Sequence, residues 1–378
     1  KLKLPEYVKT KPIKKEIEEN LIGDYENEAN RIKIKKIENQ IILENDYFEV
    51  PIKEFNSQFI SDGKINQGGI LIEKDGDNLI VNKKEYKKVA KVSNPDFPKE
   101  WLGLIGEYGW DHNILYVYED AGNLWVLIEW IEKNKLIQEN KNLFKFPKTT
   151  GMYKSEKLNF KINENGIATE VSILNGPIFK RRSPLLLTKE TFKITPVKPI
   201  NELRREAEKT NPPLENSKSD KFDLVEIKNI DKSIKYDIRY ASENNFMGSK
   251  FYKTSNAFLQ RPAAEALKRV NEKLRSYGFG LLIHDAYRPW YVTKMFWDAT
   301  PVDKKIFVAN PQNGSRHNRG CAVDLTLYEL STGSPVEMIS GYDEFTDRAF
   351  PYYYGGTTKQ RWLRDLLRKK MESEGFSV

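Results

Sequence analysis

Ser315-Arg316-His317-Asn318-Arg319-Gly320-Cys321-Ala322-Val323-Asp324, running on into Leu325-Thr326-Leu327, is the stretch from which the architecture of this chain is read. A histidine and an aspartate stand seven residues apart, with a glycine and small residues between them. From Cys321 to Leu327 apolar side chains roughly alternate, the pattern of a β-strand. Gly320 supplies the backbone freedom for a sharp entry into that strand. A histidine at a loop end and a carboxylate on the strand it enters can face one point. Imidazole and carboxylate both suit zinc, but two ligands do not make a site. Taken singly, the residues have plainer readings: His317 as a surface or capping residue, Asp324 as a turn or cap residue.

Further motifs lie on both sides. Tyr236-Asp237-Ile238-Arg239-Tyr240-Ala241 is followed by Asn244-Asn245-Phe246-Met247-Gly248. Asp285-Ala286-Tyr287-Arg288-Pro289 ends the apolar run Leu281-Leu282-Ile283. Tyr342-Asp343 precedes Phe345-Thr346-Asp347-Arg348, and Met371 to Phe376 closes the series. Together with Ser-x-His-x-x-Gly-x-Ala-x-Asp, and in this order, these motifs resemble the zinc D-alanyl-D-alanine dipeptidases, of the same fold group as the zinc D-Ala-D-Ala carboxypeptidases. The resemblance covers about residues 222–378.

That resemblance implies a zinc cofactor and assigns roles. His317 and Asp324 match two metal ligands. Arg288 matches the arginine that steadies the tetrahedral intermediate, a task suited to a permanently charged, planar fork of donors. Ser315 and Asp343 match the positions that hold the substrate's free amino group, which favours a dipeptide over an internal peptide segment. After a Gly-Phe such as Gly375-Phe376 the family continues with a Glu-x-x-His run carrying the general base and the third ligand. No histidine follows His317, so those groups are expected beyond Val378. His284 reads as a strand-end histidine or as a residue approaching the cleft. His112 reads as a loop residue.

The first half carries a repeat. Leu21-Ile22-Gly23-Asp24-Tyr25 returns as Leu104-Ile105-Gly106-Glu107-Tyr108, offset by 83 residues. Alternating strands follow both copies, and each copy later shows a strand–turn–strand pair: 70–72 into 79–81 across Asp75-Gly76-Asp77-Asn78, and 158–160 into 168–171 across Asn163-Glu164-Asn165-Gly166. Short strands joined by Asn/Asp/Gly turns argue antiparallel β structure. Each unit resembles the small lipocalin-like β modules appended to β-lactamase-type serine hydrolases, although neither holds a serine-nucleophile motif. Trp101, Tyr108, Trp110, Trp125 and Trp130 either fill a barrel core or line a ligand pocket.

The expected organisation is therefore multidomain: an N-terminal segment (1–19), β modules over 20–98 and 99–199, a linker (200–221) and an α+β domain (222–378). The linker reads as a helix over 201–209, stopped by Thr210-Asn211-Pro212-Pro213. Helices are expected over 261–277, with Pro262 near the start, and over 358–374. Strands are expected over 279–284 and 321–328.

Composition bounds the partners. The 378 residues carry a net charge of +8, with 39% hydrophobic and 12% aromatic side chains. Charges of both signs are interleaved, the lysine clusters at 9–15, 33–36 and 83–91 included. No nucleic-acid motif accompanies them, so no nucleic-acid partner is expected. No apolar stretch approaches the roughly 18–20 residues of a membrane span. The start Lys1-Leu2-Lys3-Leu4-Pro5 lacks the apolar core of a secretory signal, and a leader already removed would leave the same start. A periplasmic or envelope location is expected, with the cytoplasm as the alternative. Cys321 is the sole cysteine, which excludes an intramolecular disulfide. The expected activity is zinc-dependent hydrolysis of D-Ala-D-Ala or a related peptidoglycan peptide. The alternatives are a carboxypeptidase on wall peptides and a non-catalytic binder of wall fragments.

Overall fold

The computed structural model describes residues 10–27, 31–37, 39–45, 49–61, 69–89, 96–147, 152–173, 176–182, 191–214 and 222–378. The start Lys1–Pro5 and the polar stretch Glu215–Lys221 lie outside them. The chain divides into two compact units, Lys1–Arg182 and Ser183–Val378.

The first unit is antiparallel β structure. Eight strands from Gly23–Glu26 to Lys84–Val89 close into a barrel, because the first strand pairs with both the second and the last. Closure removes the free edges that antiparallel sheets otherwise expose. Alternate residues point inward, so Ile32, Ile34, Ile41, Leu43, Val50, Ile52, Phe59, Ile72 and Leu79 make one filled core. The strands from Gly106–Trp110 to Ile178–Lys180 form a four-stranded and a five-stranded sheet around a second core. A bridge between Tyr108 and Arg181 ties the end of this set back to its first strand. Both hairpins read from the sequence are present, as Leu71–Asp75 with Asn78–Val81 and Lys157–Ile162 with Ala168–Ile173.

The repeated pentapeptide does the same work in both places. Tyr25 and Tyr108 are fully buried, and each phenol donates to the carbonyl of the leucine four residues earlier, at 2.8 Å on Leu21 and 2.6 Å on Leu104. A cation from the closing strand lies over each ring, Lys88 at 5.8 Å and Arg181 at 4.8 Å. Lys88 donates to the carbonyl of Asn20 and Arg181 to that of Gly103, residues which correspond under the repeat. Of the aromatics singled out above, Trp101, Tyr108 and Trp125 are core residues, whereas Trp110 and Trp130 are about half exposed at hairpin ends.

The second unit is α+β. Its central strand, Phe279–Asp285, is buried at every position and pairs in parallel with Lys235–Tyr236 and antiparallel with Asp324–Glu329. A strand buried at every position needs cover on both faces. The helix Arg261–Arg275 supplies part of that cover through Ala264, Leu267, Val270 and Leu274, and Thr358–Glu372 adds Leu363 and Leu366. Pro262 sits in the first turn of Arg261–Arg275, where its missing N–H costs nothing. Trp290–Ala299 packs in a second cluster with the helix Ile200–Lys209, whose Leu203 and Ala207 are fully buried.

Candidate active site

Strand pairing brings the two best motifs together. Asp285 and Asp324 are partners across the antiparallel pair, at a register shift between Ile283 and Asp285. The turn after Asp285 carries Arg288 and leads through Pro289 into the helix Trp290–Ala299. The loop before Asp324 holds a short 3₁₀ turn, Arg316–Arg319, capped by Ser315, whose hydroxyl accepts from the His317 N–H at 3.2 Å. Gly320 ends that turn at φ +66°, and a Cβ there would lie 2.4 Å from Leu224. The left-handed backbone there favours glycine, and a Cβ would also require the Leu224 side chain to move.

The turn and the loop are fastened to each other. Arg288 N–H donates to the His317 carbonyl at 3.1 Å, and Asn318 Nδ2 donates to the Arg288 carbonyl and to Thr293 Oγ1, both at 2.9 Å. His317 Nδ1 lies 2.7 Å from the Ala286 carbonyl and so carries the proton. That leaves Nε2 as the lone-pair nitrogen, 3.3 Å from Asp324 Oδ1. A backbone carbonyl on the far nitrogen is the usual device for fixing a metal-ligating imidazole.

Arg288, Ser315, His317, Asp324 and Asp343 all line one cavity of about 200 Å³. Phe246, Phe296, Phe307 and Phe345 form much of its apolar wall. His284 is not among the lining residues: its Nδ1 faces the Asp237 carbonyl at 3.2 Å and its ring packs on Tyr342 at 4.9 Å. His112 belongs to the first unit, stacked on Trp110. Cys321 is exposed and its thiol faces the Arg319 carbonyl.

Among the described residues, Asp285, His317 and Asp324 form the one cluster whose donor atoms lie mutually within 4.8 Å. Asp285 is committed elsewhere. Its Oδ1 accepts from Tyr252 at 2.8 Å, and its Oδ2 accepts from Arg288 Nε at 2.9 Å and Nη2 at 2.8 Å. It aims the guanidinium, which also rests against the adjoining rings of Tyr240 and Phe296, 5.2 and 5.0 Å from their centroids. Tyr342 donates to Asp324 Oδ2 at 3.2 Å, and Tyr240 donates to Asp343 Oδ2. The sequence reading assigned no role to Asp285, Tyr240, Tyr252 or Tyr342. Three of the four sit inside or beside the quoted motifs, but a hydroxyl's partner is a tertiary fact.

The electrostatics are those of an anionic site with one permanent cation. Burial, and then the negative charge of Asp324, push the Asp343 carboxyl up to about 7. Burial likewise raises Asp285, against the pull of Arg288. Burial would raise Asp324 too, but His317 and then Arg288 hold it well below the usual carboxylate range. Burial works against a charged His317, yet Asp324 outweighs it and lifts the imidazole above its ordinary value. Three carboxylates share one guanidinium, so a divalent cation fits the charge of the site as well as its donors.

The comparisons bear on the same residues. Residues 220–378 match the family model described as D-Ala-D-Ala dipeptidase. The D-alanyl-D-alanine dipeptidase of Escherichia coli (strain K12) is 32% identical over 158 residues, which span 42% of this chain and 80% of that protein. The chain belongs to the D-Ala-D-Ala dipeptidase family. Among its relatives, the enzyme of Enterococcus faecalis (strain ATCC 700802 / V583) is 32% identical over 161 residues, covering 38% of this chain and 80% of the relative. That of Streptomyces coelicolor is 31% identical over 139 residues, covering 32% and 69%. The matching residues place the family's domain in the second unit, and the β strands of the first unit precede it.

Proposed function

We propose that this protein is a zinc-dependent dipeptidase that hydrolyses D-Ala-D-Ala in peptidoglycan metabolism. One observation carries the reading: the five residues to which the family resemblance gives roles line a single cavity. His317 Nε2 and Asp324 Oδ1 would hold the metal, and a further ligand and a general base would come from a Glu-x-x-His run past Gly375-Phe376. Zinc held there would polarise the scissile carbonyl and make water acidic at neutral pH.

The chain's own residues do the rest. Arg288, held by Asp285 and resting on the Tyr240 and Phe296 rings, presents donors to the oxyanion with no reorganisation at the moment of reaction. Asp343 and Ser315 receive the substrate ammonium. A carboxylate at that end rewards a free amino terminus, which favours a dipeptide over a longer wall peptide. The protonated form of Asp343 is neutral and would lose that reward.

In the same proposal the strands of the first unit form two lipocalin-like modules, the second of which ends with the strand Ile178–Lys180 rather than at the expected 199, since the first unit closes at Arg182. They act in spacing or recognition, since their cores are filled by side chains. An envelope or periplasmic location suits a substrate derived from the wall. Among the described residues no helix is long and apolar enough to cross a membrane.

The test is release of D-alanine by the protein with its native C-terminus and added zinc. Free D-Ala-D-Ala should be cleaved and an N-acetylated D-Ala-D-Ala peptide should not, and Arg288→Lys should lower turnover about 10²–10³-fold. Cleavage of the capped peptide alone would move the reading to a carboxypeptidase. Cleavage of neither, with zinc bound, would leave a binder of wall fragments.

A further inference from the structure

We infer that residues 191–209, which precede the family match, form a strap that backs the aromatic wall of the cavity and thereby sets which substrate side chains fit it. The inference rests on the dipeptidase reading and goes beyond it, because none of these residues falls within the matching stretch, which begins at residue 220.

The strap touches the wall at three places. Phe192 packs on Phe345, ring centroids 5.3 Å apart. Ile194 N–H donates to the Phe246 carbonyl at 2.9 Å. The helix Ile200–Lys209 buries Leu203 and Ala207 in the cluster that contains Val292, Met295 and Phe296. Phe246, Phe296 and Phe345 all line the cavity. Each of these three contacts is with a wall residue or with the element that carries one.

The anchoring is polar as well as apolar. Thr191 Oγ1 donates to Asn244 Oδ1, and Val197 N–H donates to the Ala299 carbonyl at 3.0 Å. Arg204 donates to the Lys250 carbonyl at 2.8 Å, with its guanidinium over the Phe251 ring. A segment held at both ends and along its length has little freedom to shift. Phe345 is consequently boxed in by Phe192 on one side and by Phe246 and Phe307 on others, at 4.9 and 5.3 Å. Interiors packed this closely pass on even small changes in volume. A wall ring that loses its backing can retreat and leave room for a bulkier substrate.

Phe192 is the residue to test, since it is only partly buried and its loss need not unfold the unit. The measurement is kcat/KM for D-Ala-D-Ala relative to D-Ala-D-Phe and D-Phe-D-Ala, which place bulk at either residue. Phe192→Ala should lower the preference for D-Ala-D-Ala about tenfold, within the range that one pocket contact can contribute. Phe192→Leu should restore most of it. An unchanged preference overturns the inference. So does an equal fall in kcat/KM for all three substrates, the signature of a merely structural residue. If Phe192→Ala does not fold, the same ratio is read on Phe192→Leu against Phe192→Val. Wild-type protein that cleaves none of the dipeptides refutes the dipeptidase reading itself, a result distinct from either failure of the strap.

Discussion

Under the proposed assignment of Asp324 as a metal ligand, Tyr342 carries the hydroxyl that would govern it without replacing it. It donates to Asp324 Oδ2, on which Arg288 Nη2 also closes at 3.4 Å, while Oδ1 faces His317 Nε2. With Oδ2 held, Asp324 offers one defined oxygen rather than two interchangeable ones. Outer partners of this kind are typically worth about 10–100-fold in metal affinity or activity. Tyr342→Phe keeps the ring that packs on His284 and removes only the hydroxyl. We expect zinc affinity, measured by chelator competition without substrate, to fall about tenfold. The effect should vanish when Asp324 is already Asn, and a full effect in that background would mean that Tyr342 does not act through Asp324. This is also the scale at which the sequence was least complete. His317, Asp324 and Arg288 were legible because each sits in a motif with fixed spacing. Tyr342 and Tyr252 were not, because their partners lie 18 and 33 residues away in the chain and meet only on folding.

At the scale of elements, the two copies of Leu-Ile-Gly-acid-Tyr are closed by different cations, and the difference is measurable. A Cβ on Gly23 would stand 3.0 Å from Lys88 Cε, the flexible arm of a side chain that can swing away. A Cβ on Gly106 would stand 2.2 Å from Arg181 Nη1. Arg181 cannot swing, because it donates to the carbonyls of Ile105 at 3.0 Å and Gly103 at 2.6 Å and to the Tyr108 hydroxyl at 2.6 Å. Gly106→Ala should therefore destabilise its set of strands by about 1–3 kcal/mol, the usual range for overpacking. Gly23→Ala should cost clearly less, and urea denaturation of the two variants compares them directly. Equal costs would mean that the arginine closure is no tighter than the lysine one. The repeat itself was visible in the pentapeptides and hairpin turns. The closing cations were not, since Lys88 and Arg181 stand 93 residues apart rather than 83 and share neither type nor flanking sequence. The boundaries of Arg261–Arg275, Thr358–Glu372 and Phe279–Asp285 fall within a residue or two of the expected ones; Pro262 and the apolar run Leu281-Leu282-Ile283 mark two of them locally, and the structure adds a capping box at Thr357 for the third.

At the scale of the molecule, each compact unit owns its hydrophobic clusters. Two lie in Lys1–Arg182 and two in Ser183–Val378, and the cavity residues all belong to the latter. Cores that share no residues need not melt together, since cooperativity follows packed contacts. A ligand that binds only the folded form stabilises by mass action, about 2.7 kcal/mol at a hundredfold excess over its dissociation constant. That stabilisation belongs to the unit that binds it. Calorimetry of the protein should therefore resolve more than one transition. Zinc should raise the midpoint of the transition assigned to Ser183–Val378, and a chelator should lower it, while the transition of the β unit stays in place. The assignment is independent of zinc, because Gly106→Ala lowers only the β transition. A single transition that moves as a whole with zinc would show that the β strands and the peptidase domain fold as one cooperative body, and the two units would then not be independent in stability.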